Sequence, residues 1–151
     1  MKIILMRHGE ASFRAPHDDL RELTEDGRRK IVFNVEKKRD ELASIALFLS
    51  SPIKRARQTA DLVRQTLKYP GVIEEVDWLV HESTPAKAIQ ALEALSAASV
   101  MLFSHQPFAS RLVESLCGLP PGEVAMNTAS VVAMEVDPVA AGCGRILWQL
   151  N

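Results

Sequence analysis

An apolar run, Ile3-Ile4-Leu5-Met6, breaks off within one residue at Arg7-His8-Gly9-Glu10. Without polar alternation, such a run reads as a strand buried on both faces, which belongs in a sheet covered by helices on both sides. Its end is of opposite character, because Arg7 and His8 both carry or accept charge. Gly9 is read as the residue that lets the backbone turn there. The chain must therefore supply the remaining strands and their covering helices, and it must give Arg7 and His8 company at the strand's C-terminal end.

The rest of the chain supplies both. A polar stretch from Glu10 to Arg21, containing Pro16, His17, Asp18 and Asp19, reads as a loop. Thr24 is a good N-cap, with Glu25 and Asp26 in the first turn where the helix dipole favours acids. Ile31, Val35 and Leu42 set an apolar stripe at helical spacing, widened by Val32 and Phe33. A second strand is expected over Ile45 to Leu49. Ser51 as N-cap with Pro52 at the first helical position then predicts a helix to Leu67. Val72 to Val76 reads as a weak strand at a sheet edge. Thr84-Pro85 starts another helix, on Ala88, Ile89, Leu92 and Leu95. An apolar strand, Val100 to Phe103, ends in Ser104-His105-Gln106-Pro107 and leads into a helix on Phe108, Leu112, Val113 and Leu116. Ser130 to Val136 and Arg145 to Leu150 read as an antiparallel hairpin. Four β-α units followed by two strands predict a three-layer α/β/α sandwich, mostly parallel, with antiparallel C-terminal strands.

With 151 residues, the chain is expected to form a single domain, residues 1–151, that needs no disulfide or metal staple. A net charge of −1 offers no footprint for nucleic acid or an anionic membrane. No apolar run approaches the roughly 20 residues that span a bilayer, and no signal peptide is read at the N-terminus, so the expected location is the cytoplasm. Cys117 and Cys143 lack metal-ligand or CxxC spacing and are read as small buried hydrophobes with free thiols.

In open α/β sheets, ligands bind beyond the carboxyl ends of the strands. Three connections there are polar: Arg7-His8-Gly9, Ser50-Ser51-Pro52 leading to Lys54, Arg55 and Arg57, and Ser104-His105-Gln106-Pro107. Arginines and histidines beside helix N-termini describe a phosphate site, because guanidinium forks match phosphate oxygens and helix N-termini add N–H donors. No Walker-type loop is present, and no acidic cluster points to Mg²⁺. From these residues alone, His8 can equally cap its turn, Arg55 can be solvated, and His105 can be a satisfied strand-end histidine.

Taken together, the three motifs resemble the histidine phosphatase (phosphoglycerate mutase-like) superfamily: Arg7-His8-Gly9 after a first strand, Ser51-Pro52-x-x-Arg55-Ala56-x-Gln58-Thr59-Ala60, and Ser104-His105-x-Pro107. The shortness of the chain and the stretch Asp18-x-x-Arg21-x-Leu23-Thr24-x-x-Gly27 resemble the small bacterial SixA-type phosphohistidine phosphatases. The resemblance implies a nucleophilic His8 that forms a covalent phosphohistidine, with Arg7, Arg55 and His105 on the phosphoryl oxygens and Arg21 close by. It implies no metal and no cofactor. The expected partner is a phosphohistidine-bearing protein, a phosphotransfer domain or carrier, with phosphate or sulfate able to occupy the pocket.

Two departures bear on the substrate. Glu22 stands where the family pattern has proline after Arg21. The acid that larger relatives use as proton donor is not evident; Glu82, or less readily His81, is the candidate, and Glu82 also has a helix-dipole reason to be there. Weak acid provision favours an imidazole leaving group over an alkoxide. Short connections leave little chain for a lid, which favours a protein-borne phosphoryl group. The alternatives are a small-molecule phosphomonoesterase or mutase-like enzyme, and a non-catalytic phosphohistidine-binding module.

Overall fold

A computed structural model describes residues Met1–Asn151. In chain order the elements are β1 (Lys2–Arg7), α1 (Glu25–Lys37), the single turn α2 (Arg39–Leu42), β2 (Leu47–Ser50), α3 (Lys54–Leu67), β3 (Ile73–Glu75), α4 (Pro85–Glu93), β4 (Ser99–Ser104), α5 (Phe108–Cys117), β5 (Val131–Val136) and β6 (Gly144–Leu150). Short 3-10 turns lie at Asp18–Leu20 and Asp77–Leu79.

The six strands form one sheet in the order β3-β2-β4-β1-β5-β6. The first four are mutually parallel, and β5 and β6 run antiparallel, as expected from the hairpin at the C-terminal end. Successive side chains of a strand face opposite ways, so each central strand feeds two cores. Ile3, Leu5, Val100 and Leu102 pack with Leu92, Leu112 and Leu116 of α4 and α5. Ile4, Met6, Met101 and Phe103 pack with Ile31, Val35, Ala60 and Val63 of α1 and α3. Full burial of Ile3 through Met6 is the reason this run carries no polar alternation.

Local signals held where backbone chemistry decides. Thr24 accepts from the Gly27 amide at 3.0 Å, Thr84 accepts from the Lys87 amide at 3.3 Å, and Pro85 opens α4. β3 lies at the sheet edge as a three-residue strand.

Other details differ from expectation. The α1 stripe is interrupted at Lys38, so Leu42 reaches the core from α2. Phe33 does not widen that stripe; it is exposed, with the Lys37 ammonium 4.4 Å from its ring centroid. Helix α3 begins at Lys54 with Ile53 as its cap. Ser51 instead accepts from the Ile53 amide at 3.3 Å and contacts His105 Nε2 at 2.7 Å, a tertiary demand that local propensity does not register. Cys117 is partly buried but Cys143 is exposed, because it sits in the β5–β6 turn; both are free thiols.

Gly9 is needed for space rather than for turning. It is not among the positive-φ residues, but a Cβ there would stand 2.6 Å from Ile31 Cδ1. Gly27 is tighter still, since its Cβ would meet the Glu10 carbonyl oxygen at 2.3 Å. That oxygen also accepts from the Thr24 amide at 2.9 Å, so the backbone of α1 rests directly on the strand-end loop. Gly27→Ala is expected to destabilise the protein by about 2 kcal/mol or more, despite the roughly 1 kcal/mol that helix propensity favours alanine. Urea unfolding checks this; unchanged or raised stability refutes the packing argument.

Candidate active site

Strands β2, β4 and β1 are neighbours, and their registers pair Arg7 with Ser104 and Ser50 with Phe103. Their C-terminal ends therefore lie side by side, bringing Ser51, His105 and His8 onto one rim. A cavity of about 300 Å³ opens there, with Arg7, His8, Phe13, Arg21, Arg55 and Gln106 among its lining residues.

The backbone around His8 is fixed on three sides. The His8 amide donates to the Ser104 carbonyl at 2.9 Å, and the His8 carbonyl accepts from the Ala129 amide at 3.0 Å. The Gly9 amide donates to Thr59 Oγ1 at 3.1 Å, and that hydroxyl donates to the Arg55 carbonyl at 2.7 Å. This explains the α3 sequence: Arg55 turns into the site, Ala56 and Ala60 are fully buried, Gln58 accepts from the Leu23 amide, and Thr59 anchors the strand end.

The ring of His8 has a defined tautomer. Its Nδ1 lies 2.7 Å from the Gly9 carbonyl, which can only accept, so Nδ1 carries the proton. Nε2 therefore presents a lone pair, and the Arg55 Nε–H donates to it at 3.2 Å. Burial lowers the His8 pKa from 6.5 to about 4; the Gly9 carbonyl opposes this, and the Arg55, Arg7 and Arg21 charges reinforce it. At neutral pH the ring is uncharged, with its lone pair on Nε2.

Arg55 is held from its other edge by Asp18: one terminal nitrogen donates to the Asp18 carbonyl at 2.9 Å and the other to its carboxylate at 3.0 Å. Arg7 donates from a terminal nitrogen to the Met126 carbonyl at 2.9 Å, while its buried Nε has no partner. His105 is fully buried, its ring centroid 5.1 Å from that of His8. Burial pushes the His105 pKa far down, with His8, Arg55 and His81 adding to the effect, so this ring is neutral too. Ser51 is fully buried, and His105 Nε2 is the acceptor within reach of its hydroxyl, which therefore donates there. That leaves the proton on Nδ1, a buried donor without a partner. Unpaired buried donors are costly in a finished fold, and Arg7 Nε and His105 Nδ1 fit an anionic oxygen acceptor. No three His, Cys, Asp or Glu side chains are grouped so as to hold a metal ion.

A family model of the histidine phosphatase superfamily, branch 1, matches residues 3–79. The chain belongs to that superfamily. Across its whole length it is 31% identical to phosphohistidine phosphatase SixA of Escherichia coli strain K12, covering 94% of that protein. A SixA homologue from Haemophilus influenzae is 29% identical over 78% of each chain. Among solved structures, a SixA complexed with tungstate superposes with a TM-score of 0.89 at 30% identity, covering 100% of this chain and 97% of that one. A mycobacterial glucosyl-3-phosphoglycerate phosphatase bound to inorganic phosphate shares the fold, with a TM-score of 0.73 at 18% identity over 99% and 97% of the two chains.

In this superfamily member Arg55 pairs with His8, the His105 ring stands beside that of His8, and Arg7 lines the same cavity. Arg21 is close as well but is engaged in its own loop, donating to the carbonyls of Ala11 and Ser12 and to the Asp18 carboxylate. Glu82 is not among the residues lining the cavity; its side chain is 72% exposed and pairs with His81 Nε2 at 3.0 Å. His81 stands edge-on to His105 with 6.0 Å between ring centroids. Asp18, Phe13, Glu10 and Gln106 carry no role in the motifs, yet all but Asp18 line the cavity and Asp18 holds Arg55. Of these, Asp18 had a usable signal, its place in the Asp18-x-x-Arg21 stretch that carries part of the family resemblance. The loop also covers more of the site than its composition implied, since Asp18 reaches Arg55.

Proposed function

We propose that residues 1–151 form one cytoplasmic, metal-independent phosphatase domain that hydrolyses phosphohistidine on a protein through a covalent phosphohistidine at His8. The observation that carries this reading is the neutral His8 ring with its Nε2 lone pair set against a buried guanidinium. In the first step Nε2 attacks phosphorus in line, the P–N bond to the substrate imidazole breaks, and that imidazole leaves with the bonding pair. Protonation of its other ring nitrogen before cleavage makes it a neutral leaving group, so no strong acid is required of the enzyme. Arg55, released from Nε2, and the unpaired Arg7 Nε and His105 Nδ1 hold the phosphoryl oxygens. The ring of phosphorylated His8 is cationic, and the Gly9 carbonyl on Nδ1–H stabilises that charge. Water then attacks phosphorus, P–Nε2 breaks, inorganic phosphate forms, and the His8 ring returns to neutral.

Glu82 lies outside the cavity lining, which favours an imidazole over an alkoxide leaving group. Similarity to the SixA proteins along the full chain supports the same choice, whereas the fold alone is shared with a sugar-phosphate phosphatase. The decisive experiment offers a phosphohistidine phosphotransfer domain, phosphoramidate, an aryl phosphate and phosphoglycerate in parallel, with and without chelator. Expected are turnover of the nitrogen-linked phosphates that is insensitive to chelator, and an acid-labile phosphoenzyme on rapid quench. Comparable turnover of phosphoglycerate overturns the substrate class, and loss of activity with chelator overturns the metal-free step.

A further inference from the structure

The strand-end loop is a rigid excursion, not a slack one. Ala11 and Leu23 bridge its base in antiparallel fashion, and the Ser12 amide donates to the Glu22 carbonyl at 2.8 Å. Phe13 stands on this loop as the most exposed large apolar side chain of the molecule, at 86%, and it lines the cavity that holds His8. The Arg21 guanidinium lies over its ring, 4.0 Å from the centroid. Arg21 is tied in turn to Ala11 and Ser12, and through the Asp18 carboxylate to Arg55. Leu20, on the same loop, is also exposed, at 47%.

A phenyl ring standing in water contributes little to the fold, yet this one is braced by a cation and held at the mouth of a polar pocket. Rigid aromatic side chains at such places are typical anchors of protein interfaces. The occupant follows from the reach of the substrate. A histidine side chain is short, so when its phosphoryl group meets His8 the backbone bearing it must descend to the mouth. The residues beside that histidine then land on the rim. A small phosphate ester is held by the arginines inside and needs no apolar platform outside.

We propose that Phe13, with Arg21 as its strut, is the docking anchor for the protein that carries the phosphohistidine, and that this protein presents an apolar side chain next to its phosphorylated residue. The inference rests on the phosphohistidine reading above. Its test compares two substrates with the same leaving group: a folded phosphotransfer domain phosphorylated on histidine, and free phosphohistidine. Phe13→Ala is expected to lower kcat/KM on the domain about 10- to 100-fold, mainly through KM, while free phosphohistidine changes by less than about twofold. Phe13→Tyr keeps the ring and should retain most of the activity on the domain. Because the side chain is exposed, the variants should unfold with the wild type. Equal loss on both substrates, or loss on neither, overturns the docking role alone. Wild-type protein that leaves the phosphorylated domain intact overturns the underlying function together with it.

Discussion

Replacing His8 with alanine should leave a folded protein whose turnover of a phosphohistidine domain falls by roughly four orders of magnitude or more, with no phosphoenzyme on acid-free quench. The size follows from the proposed role: a missing nucleophile removes the reaction path, whereas a missing donor only raises its barrier. The same residue predicts the pH profile. In the proposed mechanism His8 must be neutral to attack, and burial holds its pKa near 4. Wild-type kcat/KM should therefore carry no acid limb from His8 near pH 6.5; that limb should appear only as pH approaches 4.

Stability shares the linkage. Between about pH 4 and 6.5 the unfolded chain protonates His8 and the folded one does not, so unfolding takes up a proton and stability rises with pH across that window. The contribution is fully present above pH 6.5 and is lost progressively toward pH 4, by roughly 3 kcal/mol. His105 acts in the same direction, so His8→Ala should flatten the acid side of the stability curve without levelling it. Urea melts at pH 7 and 5 read this directly; identical slopes in wild type and variant would contradict the buried, neutral ring.

Replacing Arg55 with alanine should lower kcat/KM by about 10²- to 10³-fold, the cost of removing one buried, preorganised donor from developing charge. Arg55→Lys should recover little. Arg55 spans two partners at once, His8 Nε2 on one edge and Asp18 on the other, and only a planar fork can do both. A lysine keeps the charge but is a single point. The fold should tolerate the loss, because Asp18 is half-exposed and its carboxylate is then resolvated. Rapid-quench measurement of phosphoenzyme formation isolates the step. A loss under about threefold, or full recovery with lysine, would remove Arg55 from the phosphoryl-holding role.

The layers of the fold were legible because backbone chemistry is local. Unbroken apolar runs such as Ile3–Met6 mark strands covered on both faces, and Thr24 and Thr84-Pro85 mark helix starts. Where a side chain answered to a distant partner, the local reading erred. Ser51 has the sequence of a helix cap and serves His105 instead, while α3 begins at Lys54. Gly9 looked like a turn glycine and proves to be room for Ile31. Phe33 fits a helical stripe by spacing yet points to water.

Which residue types meet at the ends of three strands was already legible from the motifs: His8 and Arg7, Arg55, and His105. Periodicity and connection length imply a mostly parallel sheet whose strands share one C-terminal edge, while the order that seats β2, β4 and β1 side by side is a property of the folded sheet. The chemical states of those residues, by contrast, arise from the fold. The proton on His8 Nδ1, the lone pair facing Arg55, the unpaired Nδ1 of His105, and the grip of Asp18 on Arg55 all depend on distances of about 3 Å between residues far apart in the chain. Burial and hydrogen-bond direction set which nitrogen carries a proton, and neither quantity exists until the chain has folded.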